Sequence, residues 1–253
     1  MTKEELYRTL KERFAEVLRA EGLEDEPAEV VCHTMSPEEA LGKTKRTDYP
    51  IQTGKDVMIQ AECRGCRGQA FTDAPVSFRG TLSEVLALDL VNDPHSRGLF
   101  VAVLNAVMRS LGRCRDTVHC RSDGPEKCAC DAKEYLRREW PQVKSVTLVG
   151  YQPSLLQMLT DSGYRVRVMD LNPKNVGQER CGVIVEDGRT AMADAVASAD
   201  LILCTGSTLC NGTMADYLSL PKEKNVVFFG ITAAGAAALL GLKRLCFAER
   251  YPG

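Results

Sequence analysis

The feature that most constrains the fold is an alternation of apolar runs and helical stretches between residues 144 and 240. Residues 144–150 (KSVTLVG), 165–170 (RVRVMD), 200–206 (DLILCTG) and 225–230 (NVVFFG) read as strands. Residues 154–161, 190–198, 213–218 and 233–240 read as helices that follow them. Strands without a polar face must be covered on both sides. Strand–helix alternation supplies that cover and predicts a parallel sheet. A Rossmann-like α/β domain is therefore expected over residues 132–253.

The chain before it has a different rhythm. Residues 2–20 carry Leu6, Leu10, Phe14, Val17 and Leu18 at helical spacing, and Thr2 with Glu5 forms a capping-box pattern. Residues 28–34 and 56–61 read as strands, and 81–89 as a short helix. This predicts a smaller α+β domain over residues 1–96. Residues 97–111 (RGLFVAVLNAVMRSL) are apolar on nearly every face and predict a buried helix. That face suits an interdomain contact or a homodimer interface. Asn105 in its middle needs partners, and a clamp between domains is the expectation. Residues 112–131 read as a polar, Cys-rich linker, which completes a middle segment of 97–131.

Lys plus Arg is 32 against 34 for Asp plus Glu, so the formal charge is −2. That balance gives no electrostatic footprint for nucleic acid or an anionic membrane. No apolar run has the length of a bilayer span. The charged N-terminus lacks the apolar core of a signal peptide, so a cytoplasmic location is expected.

In open parallel sheets, ligands bind beyond the carboxyl ends of the strands. Four sequence segments sit there: Gly150–Ser154, Asp170–Pro173, Gly206–Thr213 and Gly230–Gly235. They bring Gly150, Gln152, Asp170, Asn172, Gly206, Ser207, Thr208, Asn211, Thr213 and Thr232 forward as candidate ligand-binding residues. Glycine allows close approach to the backbone, and a helix start offers free N–H groups. Each loop alone also reads as an ordinary turn and cap. Asp170 lies 20 residues after Gly150, the spacing of a ribose-binding acid. However, GYQPS is not a G-x-G-x-x-G fingerprint, and Pro153 removes a donor. NAD is therefore disfavoured, while a nucleoside-type cofactor such as S-adenosylmethionine stays open.

Eleven cysteines form the second candidate site. Cys204 and Cys246 fall in or beside predicted strands and read as small buried hydrophobes. Cys63 and Cys66 form a CxxC in a Gly-rich loop, and His119, Cys120, Cys128 and Cys130 cluster in the linker. Such a set fits a transition metal or an iron–sulfur cluster if the two groups converge. One CxxC without its usual partner pair equally describes reduced thiols. No Ser/His/Asp order, Walker loop or H-E-x-x-H occurs, so no reaction is assigned and enzymatic activity is left open.

GQAFTDAP (68–75), LNAV (104–107), TVHC (117–120), GYQPS (150–154), DLNP (170–173), GSTLCNGT (206–213) and ITAAGAAALLGLKRLC (231–246) together resemble the heavy-metal chelation domain family, formerly a domain of unknown function. The resemblance covers most of the chain beyond about residue 40. It implies an enolase-N-like α+β domain, then a Rossmann-like domain, with a ligand cleft between them. By the same resemblance, Gln152, Asp170, Asn172, Ser207, Thr208, Asn211, Thr213 and Thr232 surround the cleft. His119 and Cys120 match a family-like pair, and the CRGC at 63–66 marks a subgroup. The ligand expected is a metal or a small polar molecule. An enzyme with a nucleoside cofactor and a scaffold protein are the alternatives.

Overall fold

The computed structural model describes residues 1–24, 30–53 and 56–252. The observed class is the one expected from sequence, a parallel-sheet α/β half preceded by an antiparallel α+β half. Helix α1 (Lys3–Ala20) opens with the Thr2/Glu5 capping box and buries the predicted stripe of Leu6, Leu10, Phe14, Val17 and Leu18. Strand β1 (Val30–Met35) follows; residues 28 and 29 of the expected strand lie outside the described residues. Two short helices, α2 (Pro37–Leu41) and α3 (Pro50–Thr53), lead to β2 (Val57–Cys63), β3 (Cys66–Thr72) and β4 (Phe78–Gly80). These strands form an antiparallel sheet in the order β3-β2-β1-β4.

The CRGC segment is not an open loop. Cys63 pairs with Cys66, and the two residues between them form a tight hairpin turn. Arg64 and Gly65 both have positive φ, 53° and 71°, as a two-residue hairpin with the native strand twist requires.

Helix α4 (Leu82–Ala87) leads to α5 (Pro94–Ser110), the axle of the molecule. Every residue of α5 from Ser96 to Met108 is buried. The reason is placement: one side lies on β2 and β3, the other meets the C-terminal half. The approach to β3 is so close that a Cβ on Gly68 would stand 2.2 Å from the Ala106 nitrogen. Asn105 is fully buried and acts as the expected clamp. Its amide nitrogen donates to the carbonyls of Gln69, Ile231 and Thr232, and its oxygen accepts from Gly235 N–H at 2.7 Å.

Helix α6 (Gly124–Glu139) begins well before residue 132, so much of the expected linker is helical. Strand β5 (Ser145–Val149), helix α7 (Pro153–Asp161) and strand β6 (Arg165–Asp170) begin the larger sheet. A short hairpin of β7 (Glu179–Arg180) and β8 (Val183–Asp187) forms one edge, and α8 (Gly188–Ala197) returns the chain to β9 (Leu201–Thr205). Helices α9 (Thr208–Asn211) and α10 (Met214–Leu218), strand β10 (Asn225–Phe229), helix α11 (Ala234–Leu240) and strand β11 (Arg244–Leu245) complete it. The order is β11-β10-β9-β5-β6-β8-β7, parallel except for β7. Successive strands run outward from β5 in one direction and, from β9, in the other. The switch point lies between β5 and β9, where a crevice opens at the strand ends.

One apolar core joins the two halves, with Phe14, Phe100, Leu104, Ile202 and Phe228 in a single cluster. No helix among the described residues is long and apolar enough to cross a membrane.

Candidate functional site: a cavity between the two halves

A cavity of about 710 Å³ lies over the carboxyl ends of the parallel strands and is closed from the other side by the antiparallel half. This falls within the roughly 300–1,000 Å³ typical of small-molecule sites. All ten candidate ligand-binding residues line it: Gly150, Gln152, Asp170, Asn172, Gly206, Ser207, Thr208, Asn211, Thr213 and Thr232. From the opposite wall come Tyr49, Asp56, Met58, Phe71, Thr72 and Asp73.

Many of the polar groups in these loops are already engaged by the chain itself. Asp170 Oδ2 accepts from Tyr151 N–H at 2.8 Å and from the Asn175 amide, while Oδ1 accepts from Asn172 N–H at 2.7 Å. It thereby ties the loop after β5 to the loop after β6. Gln152 caps α7 by accepting from Leu155 N–H. Together with Pro153 at the helix start, this leaves a poor cradle for a pyrophosphate. Asn211 accepts from the Thr213 N–H and hydroxyl, and Thr232 accepts from Phe71 N–H at 3.0 Å. Thr208 donates to the Thr205 carbonyl. Gly206 is required by packing: a Cβ there would stand 2.7 Å from the Ala233 nitrogen.

The cavity is electronegative. Among the described residues, Asp56, Asp73, Asp170 and Asp216 line it, against a single arginine, Arg189. Burial, with Asp73 and Asp170 nearby, raises the Asp56 carboxyl to about 6. Sequence reading passed over Asp56, Asp73 and Asp216, because an isolated aspartate beside a strand or in a short helix gives no motif.

The thiols divide into separate groups. Cys63 is buried in the main core and Cys66 flanks the hairpin turn; neither lines the cavity. Cys130 is exposed on α6, two residues and just over half a helical turn from Cys128. The convergence of Cys63 and Cys66 with the linker cysteines is not realised, because the first pair is held in the β2–β3 hairpin. His119, Cys120 and Cys128 do line the cavity, and Cys246 joins them from the end of β11. Cys120, Cys128 and Cys246 pack together with Ile231, Ala248 and Tyr251. The Cys128 thiol lies within hydrogen-bonding reach of those of Cys120 and Cys246 and is pushed up to about 12, so it is protonated at neutral pH. Burial lowers the His119 pKa, favouring the neutral ring. With Nδ1 set 2.6 Å from the Cys120 carbonyl, Nδ1 is the protonated nitrogen and Nε2 keeps the lone pair. Among the described residues, no three of His, Cys, Asp or Glu are grouped so as to hold a metal ion.

The two walls are stitched together by tyrosines that line the cavity. Tyr49 Oη bonds to Ser154 Oγ at 2.8 Å and to Glu126 at 3.0 Å, and Tyr151 Oη donates to Asp48 at 2.8 Å. The loop at residues 117–119 runs along β3, where Gln69 N–H donates to the Thr117 carbonyl and His119 N–H donates to Gln69 Oε1.

Comparison with known proteins agrees with this architecture. A protein of unknown function from the DUF364 family of Pyrococcus horikoshii has a similar structure, with a TM-score of 0.53 at 17% identity over 90% of this chain and 80% of that one. A DUF364 protein of unknown function from Desulfitobacterium hafniense gives 0.50 at 12% identity, over 73% of this chain and 71% of that one. A search of curated proteins found no match. The family model matched spans a narrower stretch than the resemblance read from the sequence. Residues 136–243 match the DUF364 model, described as "Putative heavy-metal chelation", and the fold is similar to that of two solved structures from that family.

Proposed function

We propose that the protein binds a metal cation, free or carried by a small organic chelator, in the cavity between its two halves. The observation that carries this reading is the charge and chemistry of the cavity: among the described residues, four aspartates against one arginine, with an imidazole and three thiols at one end. A volume near 710 Å³ exceeds the needs of a bare ion and suits a metal held in an organic complex. Tyr49, Tyr151 and Phe71 offer apolar faces to such a molecule. The DUF364 description points the same way.

A nucleoside cofactor is less well supported. Asp170, which would hold its ribose, already accepts three bonds from the neighbouring loops. The test is elemental analysis of protein purified without oxygen, followed by calorimetric titration with metal salts and metal chelates. Stoichiometric binding that is lost in Ser207→Trp, a substitution that fills the cavity at the end of β9, is the expected result. Failure of the native protein to take up any metal or chelate would refute the reading.

A further inference from the structure

Three thiols meet at one end of the cavity, and they come from parts of the chain far apart in sequence. Cys120 follows the loop that runs along β3, Cys128 projects from the first turns of α6, and Cys246 leaves β11. Grouping one buried and two half-buried thiols is not explained by packing alone, since alanine or valine would fill the same space without sulfur. Their surroundings are apolar: Ile231, Leu245, Ala129 and Ala248 line the same end. The cavity gives a solute access to them.

The grouping also limits the metal. Zinc in a structural site takes four ligands in a tetrahedron, and calcium and magnesium take six or more oxygens. No set of three ligands is in place among the described residues. Cys120 is buried, whereas Cys128 and Cys246 are half-buried where they line the cavity, so these two are the thiols a solute there meets most readily. A cation satisfied by two thiolates is a soft d10 ion, and among biological metals that is Cu(I), which thiolate ligands favour.

We propose that the Cys128 and Cys246 thiolates bind a soft monovalent d10 cation of the Cu(I) class at the end of the interdomain cavity. This rests on the metal-binding reading above and names the metal class and its ligands. Binding replaces two thiol protons: Cu(I) plus two thiols gives a bis-thiolate complex of charge −1 and two released protons, with no change of oxidation state. The Arg244 guanidinium, which acts electrostatically on Cys246, offsets that charge. Cys120 lies alongside and is not needed for the pair.

The full-length protein, reduced and free of oxygen, is titrated with Cu(I) in the presence of a chromophoric Cu(I) chelator. One Cu(I) per chain should bind, with a near-ultraviolet thiolate-to-copper band, and X-ray absorption should show a first shell of two sulfurs. Cys128→Ser and Cys246→Ser should each abolish the band and weaken binding at least 100-fold. Cys120→Ser and the double variant Cys63→Ser/Cys66→Ser should retain both. Circular dichroism shows whether a variant is folded; if Cys128→Ser does not fold, Cys128→Ala and the Cys246 variant decide. Copper binding that ignores Cys128 and Cys246, or a cavity that takes up Zn(II) in preference to Cu(I), overturns the pair. If another metal binds in the cavity through other groups, the pair falls and the cavity reading stands. If no metal binds at all, both fall.

Discussion

Replacing Asp56 by asparagine should stabilise the protein at neutral pH and leave it unchanged in acid. The carboxyl rises from its ordinary value of about 3.9 to about 6 because it is buried and faces Asp73 and Asp170. Two units at about 1.36 kcal/mol each give about 3 kcal/mol, an upper figure because the cavity admits water. The sign follows from proton linkage. As pH rises past about 4, Asp56 ionises in the unfolded chain before it does so in the native one. Native stability then falls with rising pH at up to about 1.4 kcal/mol per unit, until the folded carboxyl ionises near 6. Above that, the full cost is present. Urea unfolding of both proteins between about pH 4 and 8 should show no difference at the acid end and an advantage for Asp56→Asn of about 2–3 kcal/mol at the alkaline end. A cation bound in the cavity should narrow that gap, since it neutralises the repulsion the substitution removes. A difference that does not vary with pH, or a variant less stable at pH 8, would refute the electrostatic account of the cavity.

Three structural predictions follow from the contacts between the halves. Asn105→Ala should cost roughly 3 kcal/mol in urea unfolding, since it strands Gly235 N–H and the carbonyls of Gln69, Ile231 and Thr232 in a dry core. Gly68→Ala should cost about 2–3 kcal/mol or more, measured the same way, because its Cβ would stand 2.3 Å from the Ala102 carbonyl oxygen and push α5 off the sheet. Tyr151→Phe should cost about 1 kcal/mol by removing the bond to Asp48 across the interface.

The parallel sheet was legible because its strands lack a polar face, so burial on both sides leaves a direct trace in the sequence. β5, β6, β9 and β10 fall within a residue or two of their expected bounds. β3 was missed, since RGQAFT alternates weakly and carries two polar residues that turn inward: Gln69, for instance, is buried and bonds to Gln60 and Met35. β7 and β11, two residues each, are too short for periodicity to register, and β8, in the hairpin at the sheet edge, has one buried residue and only a short apolar run. Helix α6 starts early because its first turns contain Gly124, Pro125 and two cysteines, which read as a linker by composition although Pro is well placed at a helix start.

For the site, the sequence marked the strand-end loops, and all ten residues proposed there line one cavity. It left each loop open to either reading, ligand site or turn and cap, and in the structure Asp170, Gln152 and Asn211 hold the loops in shape with the groups that looked free for a ligand. The thiol group was half visible. Cys120 and Cys128 stood out in a polar stretch, but Cys246 lies more than a hundred residues later and only the fold brings it to them. A CxxC motif drew attention to Cys63 and Cys66, yet a two-residue hairpin produces that spacing with no metal involved.

If the cavity holds a metal, anomalous diffraction from crystals grown without oxygen and supplied with Cu(I) gives the most direct test. A single strong peak should appear in the interdomain cavity, between Cys128 and Cys246. A cavity without anomalous signal, with metal found only at surface side chains or nowhere, would contradict the account.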